Sequence, residues 1–221
     1  MSRRDVGLRA DLHVHSRHSR GDMEPREIYH AAMLRGMDLV TLTDVDSIEG
    51  VLALADLPGT FTGEEVTCAL PGGGDLRLGV FDLDERQHEA IAERRSDAEA
   101  LFAYLAEERL PLVTHHFFPA FSGPREMEDL RHLLRHVSLH NVSRPGVAGS
   151  DAFALLEVGT AWTIVPGAAT CEDYVEGLRE GRTIPAGPAA GYRFLAQVLL
   201  DLTALSSTAA GDHACPSLTR I

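Results

Sequence analysis

The sequence predicts an α/β fold in one domain. Strand-like apolar runs alternate with helix-like segments along most of the chain, which is typical of βα units around an interior parallel sheet or barrel. The 221 residues, 44% of which are hydrophobic, are enough to bury one sizeable core. We therefore expect a single domain over residues 1–206, followed by a flexible C-terminal tail over residues 207–221.

The first half of the chain contains the most regular of these segments. Residues 8–14 form the first predicted strand, and a helix over residues 24–35 has proline in its first turn and ends before a glycine. A second short strand is predicted over residues 39–43. Residues 61–69 and 76–81 flank a glycine-rich turn and are predicted to pair as a β-hairpin.

The second half begins with a segment rich in Ala, Glu, Arg and Leu. Its apolar residues recur at helical spacing, so one long outer helix is predicted over residues 85–108. Short strands follow at residues 111–114 and, more weakly, at residues 137–140. Residues 160–182 are predicted to form a strand, a loop and a helix, and a last helix is expected over residues 192–205.

Charge and composition exclude several classes of partner. A formal net charge of −13 opposes bulk binding to nucleic acid, because a summed negative field repels phosphate backbones. No apolar run is long enough for a membrane span and no signal-peptide pattern is found, which predicts a cytoplasmic protein without a membrane partner. Cys68, Cys171 and Cys215 are odd in number and widely spaced, which argues against a disulfide framework or a cysteine-type zinc site.

Residues able to bind a metal recur at the predicted strand ends. His13 and His15 lie at the end of the first strand, and imidazole nitrogen is a good ligand for Zn, Mn or Fe. In a barrel, strand ends converge on the face where catalytic groups lie. The other carboxylates and imidazoles at such positions are Asp44, Asp46, Glu64, Glu65, His115, His116, His140 and Asp151.

Five sequence blocks follow one another in an order that a known family shares. They are Asp11-Leu12-His13-Val14-His15-Ser16 with Ser19 and Gly21, Leu42-Thr43-Asp44 with Asp46, Gly63-Glu64-Glu65-Val66-Thr67, Val113-Thr114-His115, and Gly149-Ser150-Asp151-Ala152. These blocks resemble the motifs of the PHP (polymerase and histidinol phosphatase) domain family, and the resemblance covers residues 10–182. It implies a distorted (β/α)7 barrel that binds up to three divalent metals and acts on phosphoesters such as nucleotides and histidinol phosphate.

The resemblance also implies which residues act. His13, His15, Glu65 and Asp151 form the expected ligands of one strong site for a divalent ion such as Zn, Mn or Fe. His115 is expected nearby as a proton donor or further ligand, and water bound to the ion would attack a small phosphate ester. The alternative is a vestigial polar cluster held by hydrogen bonds, although buried carboxylates without a metal are costly.

Three positions depart from the family's pattern around a single metal. Arg20, Val45 and Phe153 stand where the family has Asp, His and His. In the family, the residues at these three positions are grouped around one metal. The substitutions therefore indicate the coordinated loss of one site. We therefore expect one strong site rather than three.

Other positions leave alternatives open. Leu76 stands where the family has a further His, so another metal site, shared by Glu65 and His115, is expected to lose a ligand unless His116 or His140 replaces it. Asp44 and Asp46 are predicted either to orient the metal-binding histidines or to cap the helix that follows them.

Arginine side chains are candidates for binding the substrate. Arg20 stands where a second metal would lie, and its guanidinium could neutralise and grip a substrate phosphate as part of the catalytic site. The alternative for Arg20 is a solvated loop residue. Arg144 and Arg182 are weaker candidates for the same role.

Three functions remain after these considerations, and the last of them is hydrolysis of another bond on a similar barrel. The first is a metal-dependent hydrolase that acts on a small phosphorylated molecule through a metal-bound water. The alternative is a degenerate PHP domain that binds a small anion or a protein partner without catalysis. The four expected ligands favour the first function, whereas the substitutions at Arg20, Val45, Leu76 and Phe153 favour the second.

Overall fold

The computed structural model describes residues 7–71, 73–115 and 146–187. All of them belong to a unit that extends to Ala190, and a second unit, Gly191–Ile221, lies outside the described residues. The domain boundary predicted at residue 206, the strand predicted over residues 137–140 and the helix predicted over residues 192–205 also lie outside them.

Six strands and five helices are formed by the described residues. In chain order they are β1 (Leu8–Ala10), α1 (Pro25–Leu34), α2 (Glu49–Leu52), β2 (Gly63–Ala69), β3 (Asp75–Phe81), α3 (Glu85–Arg94), α4 (Ala98–Glu107), β4 (Leu112–His115), β5 (Trp162–Val165), α5 (Cys171–Arg179) and β6 (Ile184–Ala186). No helix in this set combines the length and the apolar character needed to cross a membrane.

The strands form two three-stranded sheets. One has the order β1-β5-β6 and the other β2-β3-β4, and every neighbouring pair is antiparallel. The α/β class is confirmed, but the expected interior parallel sheet is wrong for these strands. A tight turn joins β2 to β3, and such a short connection allows only antiparallel pairing. The described residues do not close a barrel.

Single parallel bridges join segments outside the regular strands. They are Val14 with Ala152, Val40 with Thr60, and Val45 with Glu65. The strands predicted over residues 8–14 and 39–43 are therefore wrong in extent, since regular pairing stops at Ala10 and the second segment forms one bridge. Thr43 explains part of this: its hydroxyl accepts the amide of Val14 at 3.0 Å, so a side chain replaces one bond of a regular ladder.

Most of the other predicted elements are confirmed. The hairpin predicted over residues 61–69 and 76–81 is the β2–β3 pair, and the strand, loop and helix expected over residues 160–182 are β5 and α5. The single helix predicted over residues 85–108 is wrong, because the chain forms α3 and α4 instead. Asp97 starts the second helix by accepting the amide of Ala100 at 3.1 Å, and such a cap favours a new helix start.

The β2–β3 hairpin separates the main core from the site. Leu76 and Leu78 are fully buried and pack in one cluster with Ile91 of α3 and Phe102 of α4. Because side chains alternate across a strand, the opposite face of the hairpin is left for polar residues, among them Glu65. The helices thus hold the hairpin rigidly while its other face carries the candidate site.

One buried carboxylate on the core side of the hairpin is paired with a helix. Glu64 is fully buried, and its Oε2 lies 2.8 Å from Nδ1 of His88 on α3. The hydrogen bond that His88 donates to Glu64 raises the pKa of His88, although partial burial opposes the shift. His88 therefore ties α3 to β2 most strongly when its imidazole is protonated.

We expect the contribution of His88 to stability to depend on pH. Because its folded-state pKa is raised, the contribution is fully present below the unfolded pKa of about 6.5 and is lost as the pH rises through the folded value. His88→Gln should therefore lower the free energy of unfolding by about 1 kcal/mol more at pH 6 than at pH 8.5, after allowance for solvent screening. Urea denaturation at both pH values checks this, with Glu89→Gln, the exposed neighbouring residue, as control. Equal losses at the two pH values would contradict the prediction.

Candidate metal site

His13 and His15 project from the segment that follows β1. The backbone there pairs with Ala152, since the His15 amide donates to the Ala152 carbonyl at 3.0 Å and the Ala152 amide donates to the His13 carbonyl at 3.2 Å. Val14, between the two histidines, is buried in the core. Both imidazoles therefore leave the chain on the same side, and their Nε2 atoms lie 3.1 Å apart.

Two carboxylates meet these imidazoles. Glu65 of β2 places Oε1 3.9 Å from His13 Nε2 and Oε2 3.5 Å from His15 Nε2. Asp151 Oδ1 lies 3.4 Å from His13 Nε2 and 3.6 Å from His15 Nε2. The four residues predicted as ligands thus converge, although they come from three distant parts of the chain.

The spacing and burial of these atoms fit a divalent ion. Bonds of about 2.1 Å around one ion set neighbouring ligand atoms about 3.0–3.5 Å apart. The Nε2 atoms of His13 and His15 lie 3.1 Å apart and 3.4 to 3.9 Å from oxygens of Glu65 and Asp151. Among the described residues, His13, His15 and Glu65 form a group whose ligand atoms all lie within 4.8 Å of one another, and Asp151 approaches this group through the two histidines. Glu65 Oε1 is buried and receives no hydrogen bond from the described residues. Two imidazoles and two carboxylates are a donor set that suits Zn, Mn or Fe.

His115 of β4 lies against one edge of this cluster. Its ring stacks on His13 with centroids 3.8 Å apart, and its Nδ1 lies 3.7 Å from Glu65 Oε1. Gly79 of β3 makes room for the ring, since a Cβ there would approach His115 Nε2 to 2.5 Å. The structure therefore brings His115 to the expected ligands, and its role as proton donor or further ligand stays a prediction.

The charge on Glu65 is supported by several neighbouring side chains. Burial acts to raise the pKa of Glu65, but His115, His15 and Arg77 together bring that pKa below its usual range. His115 Nδ1 lies beyond hydrogen-bond distance at 3.7 Å, so its effect is chiefly electrostatic. Glu65 is therefore a carboxylate at neutral pH and offers its oxygens as ligands.

Sequence reasoning missed Arg77. Leu76, the residue aligned with a lost histidine, points into the core, and it is Arg77 that shares a face of the hairpin with Glu65. Arg77 Nη1 donates to Glu65 Oε2 at 3.4 Å. The alternation of apolar Leu76 and Leu78 around Arg77 is the signal that could have identified the site-facing position.

The three residues that depart from the family's metal-binding pattern have different surroundings. Phe153 stacks on His15 with ring centroids 4.8 Å apart, so an apolar ring lies beside the cluster. Val45 lies opposite Glu65 in a parallel bridge, in which the Glu65 amide donates to the Asp44 carbonyl and the Asp46 amide donates to the Glu65 carbonyl. Arg20 is exposed on the loop after His15.

The remaining arginine and histidine candidates lie elsewhere. Arg182 follows α5 and forms an ion pair with Glu180. Arg144, His116 and His140 lie outside the described residues. Their predicted roles stay predictions.

Asp11 anchors the loop that carries Asp151. It accepts the Ser150 amide at 2.8 Å, the Ser150 hydroxyl at 2.5 Å and the Gly159 amide at 2.7 Å. Burial raises the pKa of Asp11 to about 6, although these hydrogen bonds oppose the shift. Asp11 is therefore ionised at neutral pH, and its contacts place Ser150 and Asp151 next to His13.

Asp44 holds the loop after His15. It accepts the Ser16 amide at 2.7 Å, the Ser16 hydroxyl at 2.6 Å and the Ser19 hydroxyl at 2.7 Å. Since the Ser19 hydroxyl lies 3.5 Å from His15 Nδ1, Asp44 is linked to His15 only through Ser19. The alternative prediction of a helix cap is wrong, because the N-cap of α2 is Ile48.

Asp46 acts away from the candidate ligands. Its carboxylate accepts the Thr67 amide at 2.8 Å and pairs with Arg95 at 2.9 Å. It therefore neither caps α2 nor orients a histidine directly, but joins the turn after residue 44 to β2.

Comparisons with known proteins agree with this architecture. Residues 139–183 match a family model described as PHP-associated. The crystal structure of PsfC from Pseudomonas syringae PB-5123 is 20% identical, with a TM-score of 0.54 over 90% of this chain and 99% of PsfC. A two-domain protein from Bacteroides vulgatus, described as containing a predicted PHP-like metal-dependent phosphoesterase, is 15% identical, with a TM-score of 0.59 over 84% of this chain and 66% of that protein. No curated protein matches the chain.

Proposed function

We propose that this chain is a PHP-domain protein and a metal-dependent hydrolase of small phosphate esters. The match of residues 139–183 to a PHP-associated family model and the fold shared with the Bacteroides protein support the family assignment. The observation that carries the proposal is the grouping of His13, His15 and Glu65, whose ligand atoms lie within 4.8 Å of one another, with Asp151 Oδ1 3.4 and 3.6 Å from the two histidine Nε2 atoms. The Bacteroides protein of similar fold is described as containing a predicted PHP-like metal-dependent phosphoesterase. We extend that activity, and the distorted barrel of the family, to this chain as part of the proposal.

The residues of the site have separable tasks in this proposal. His13, His15, Glu65 and Asp151 would hold a divalent ion, which would supply Lewis-acid chemistry and the activation of water. Glu65 and Asp151 also offset its positive charge. His115, stacked on His13, donates a proton to the leaving-group oxygen of the ester.

Phe153 favours a single ion. Its ring covers one face of His15 and offers no ligand atom. An apolar ring at that place disfavours a second hydrated cation, because ions are costly to desolvate without polar partners. One strong site is therefore the arrangement that we propose.

Metal reconstitution tests this function. Protein stripped with a chelator should regain one equivalent of Zn or Mn, measured by titration calorimetry and elemental analysis. The loaded protein should hydrolyse members of a phosphomonoester panel, and the chelated protein should not. Protein that binds no metal and stays inactive with added Zn or Mn would contradict the proposal. Protein that binds metal but hydrolyses nothing would favour the degenerate binding domain instead.

A further inference from the structure

Arg77 is the guanidinium that the hairpin brings to the candidate metal site. It lies opposite Thr67 in the β2–β3 pair and opposite His115 in the β3–β4 pair. Its Nη1 lies 3.4 Å from Glu65 Oε2, and 23% of its side-chain surface is exposed. Arg77 therefore contacts a proposed ligand and still faces solvent.

The position of Arg77 relative to the ion ligands favours binding of an anion. Glu65 Oε2 has His15 Nε2 at 3.5 Å and Arg77 Nη1 at 3.4 Å. The guanidinium and the proposed ion thus share one carboxylate. A phosphoryl group has several charged oxygens, so it can place one at the ion and others at Arg77.

The chemistry of guanidinium suits this task. It offers five N–H donors in a planar fork that matches two oxygens of a phosphate. The contact with Glu65 occupies one nitrogen of Arg77. Such charge-assisted, paired hydrogen bonds are among the stronger polar contacts in proteins.

The arginines predicted for this role are less suitably placed. Arg20 is exposed on its loop, and Arg182 is paired with Glu180 beyond α5. Neither has a contact with Glu65 like the one that Arg77 makes. The phosphate-binding role first assigned to Arg20 therefore fits Arg77 better.

We infer that Arg77 binds the anionic oxygens of the phosphate ester while the ester occupies the metal site. This inference rests on the proposed hydrolase function and adds the residue that recognises the phosphoryl group. Arg77 would also offset the negative charge that the acidic chain, with a formal net charge of −13, presents to an anionic substrate.

Binding of inorganic phosphate tests the inference without relying on turnover. Titration calorimetry would compare the wild type, Arg77→Met and Arg77→Lys, each metal-free and Zn-loaded. Arg95→Met is the matched control, because Arg95 is 25% exposed and pairs with one carboxylate, that of Asp46. We expect Arg77→Met to bind phosphate about 10- to 100-fold more weakly. Arg77→Lys should be intermediate because it keeps the charge without the fork, and Arg95→Met should match the wild type.

The metal affinity of the same variants separates the possible outcomes. Arg77→Met should change the metal affinity by a smaller factor than the phosphate affinity, since Arg77 is not a ligand and its contact with Glu65 Oε2 is long, at 3.4 Å. Unchanged phosphate affinity in Arg77→Met, or no phosphate binding by the wild type, would overturn the inference. A parallel loss of metal affinity would also overturn it, because Arg77 would then act only by positioning Glu65. If the wild type binds no metal but Arg77→Met still weakens phosphate binding, the proposed hydrolase function fails while the role of Arg77 in anion binding stands.

Discussion

His13→Ala is expected to abolish metal binding and, with it, phosphoesterase activity. His13 Nε2 lies within 4 Å of His15 Nε2, Glu65 Oε1 and Asp151 Oδ1, so its loss removes the atom that faces all the other proposed ligands. Groups that merely orient a ligand are worth about 10- to 100-fold in metal affinity. Loss of a ligand should therefore cost more than about 100-fold, as measured by competitive titration with a chelating dye.

The same variant should remain folded. Gly149 packs against the backbone and Cβ of His13, and alanine keeps that Cβ. The imidazole is largely buried and stacks on His115. Its removal should therefore cost some stability while leaving the chain folded. Circular dichroism and thermal unfolding would establish that lost metal binding does not reflect an unfolded chain.

His18→Ala provides the matched control for this experiment. His18 lies on the same loop, but its Nδ1 is 3.1 Å from Glu49, outside the cluster. Its loss should leave metal affinity and activity unchanged. If His13→Ala binds metal as the wild type does, or if His18→Ala fails equally, the proposed ligand set is wrong.

The candidate ligands were predictable because each lies in a short block whose residue types are informative on their own. His13 and His15 are two apart, so any extended backbone presents them on one side. Glu65 and Asp151 lie in glycine-containing blocks that resemble family motifs. The structure brings these four residues together as expected, and binding of an ion by them stays a prediction.

Arg77 was missed for a reason specific to strands. Side chains alternate, so a shift of one residue moves a side chain from the site to the core. Comparing only residue types aligned Leu76 with a lost histidine, whereas the antiparallel register pairs Gly79 with Glu65 and Arg77 with Thr67. The phase of the strand depends on packing against α3 and α4, which the motif does not contain.

The errors in secondary structure have local causes as well. The helix over residues 85–108 was predicted from composition, which favours helix throughout, but the cap at Asp97 starts a new helix. Residues 39–43 have strand-like composition and yet bond to Val14 partly through the Thr43 side chain. In both places a single polar side chain overrides the average propensity.

Asp11 gives the second large expected effect, and it acts on the fold and the site together. Asp11→Asn should lower the free energy of unfolding by about 2–4 kcal/mol at pH 7.5. An amide can accept hydrogen bonds only through its oxygen, so its NH2 group would face N–H or O–H donors from Ser150 or Gly159 in a buried place. Because the pKa of Asp11 is about 6, the wild type presents a full carboxylate at this pH.

The metal site should report the same change. Ser150 and Asp151 lie on the loop that Asp11 holds, so a displaced loop moves Asp151 Oδ1 away from His13 and His15. We expect the metal affinity of Asp11→Asn to fall about 10- to 100-fold, which is typical of residues that orient a ligand. Urea denaturation and metal titration on the same protein would measure both effects.

Asp56→Asn and Ser150→Ala separate anchoring from a general loss of charge. Asp56 is exposed and pairs with Arg26 on the surface, so its replacement should leave both measurements nearly unchanged. Ser150→Ala removes one of the donors to Asp11 and should give a smaller loss of stability than Asp11→Asn. If Asp11→Asn loses stability but keeps full metal affinity, the loop holds Asp151 without Asp11. The Val14–Ala152 pairing would then be the contact by which the segment after β1 positions Asp151.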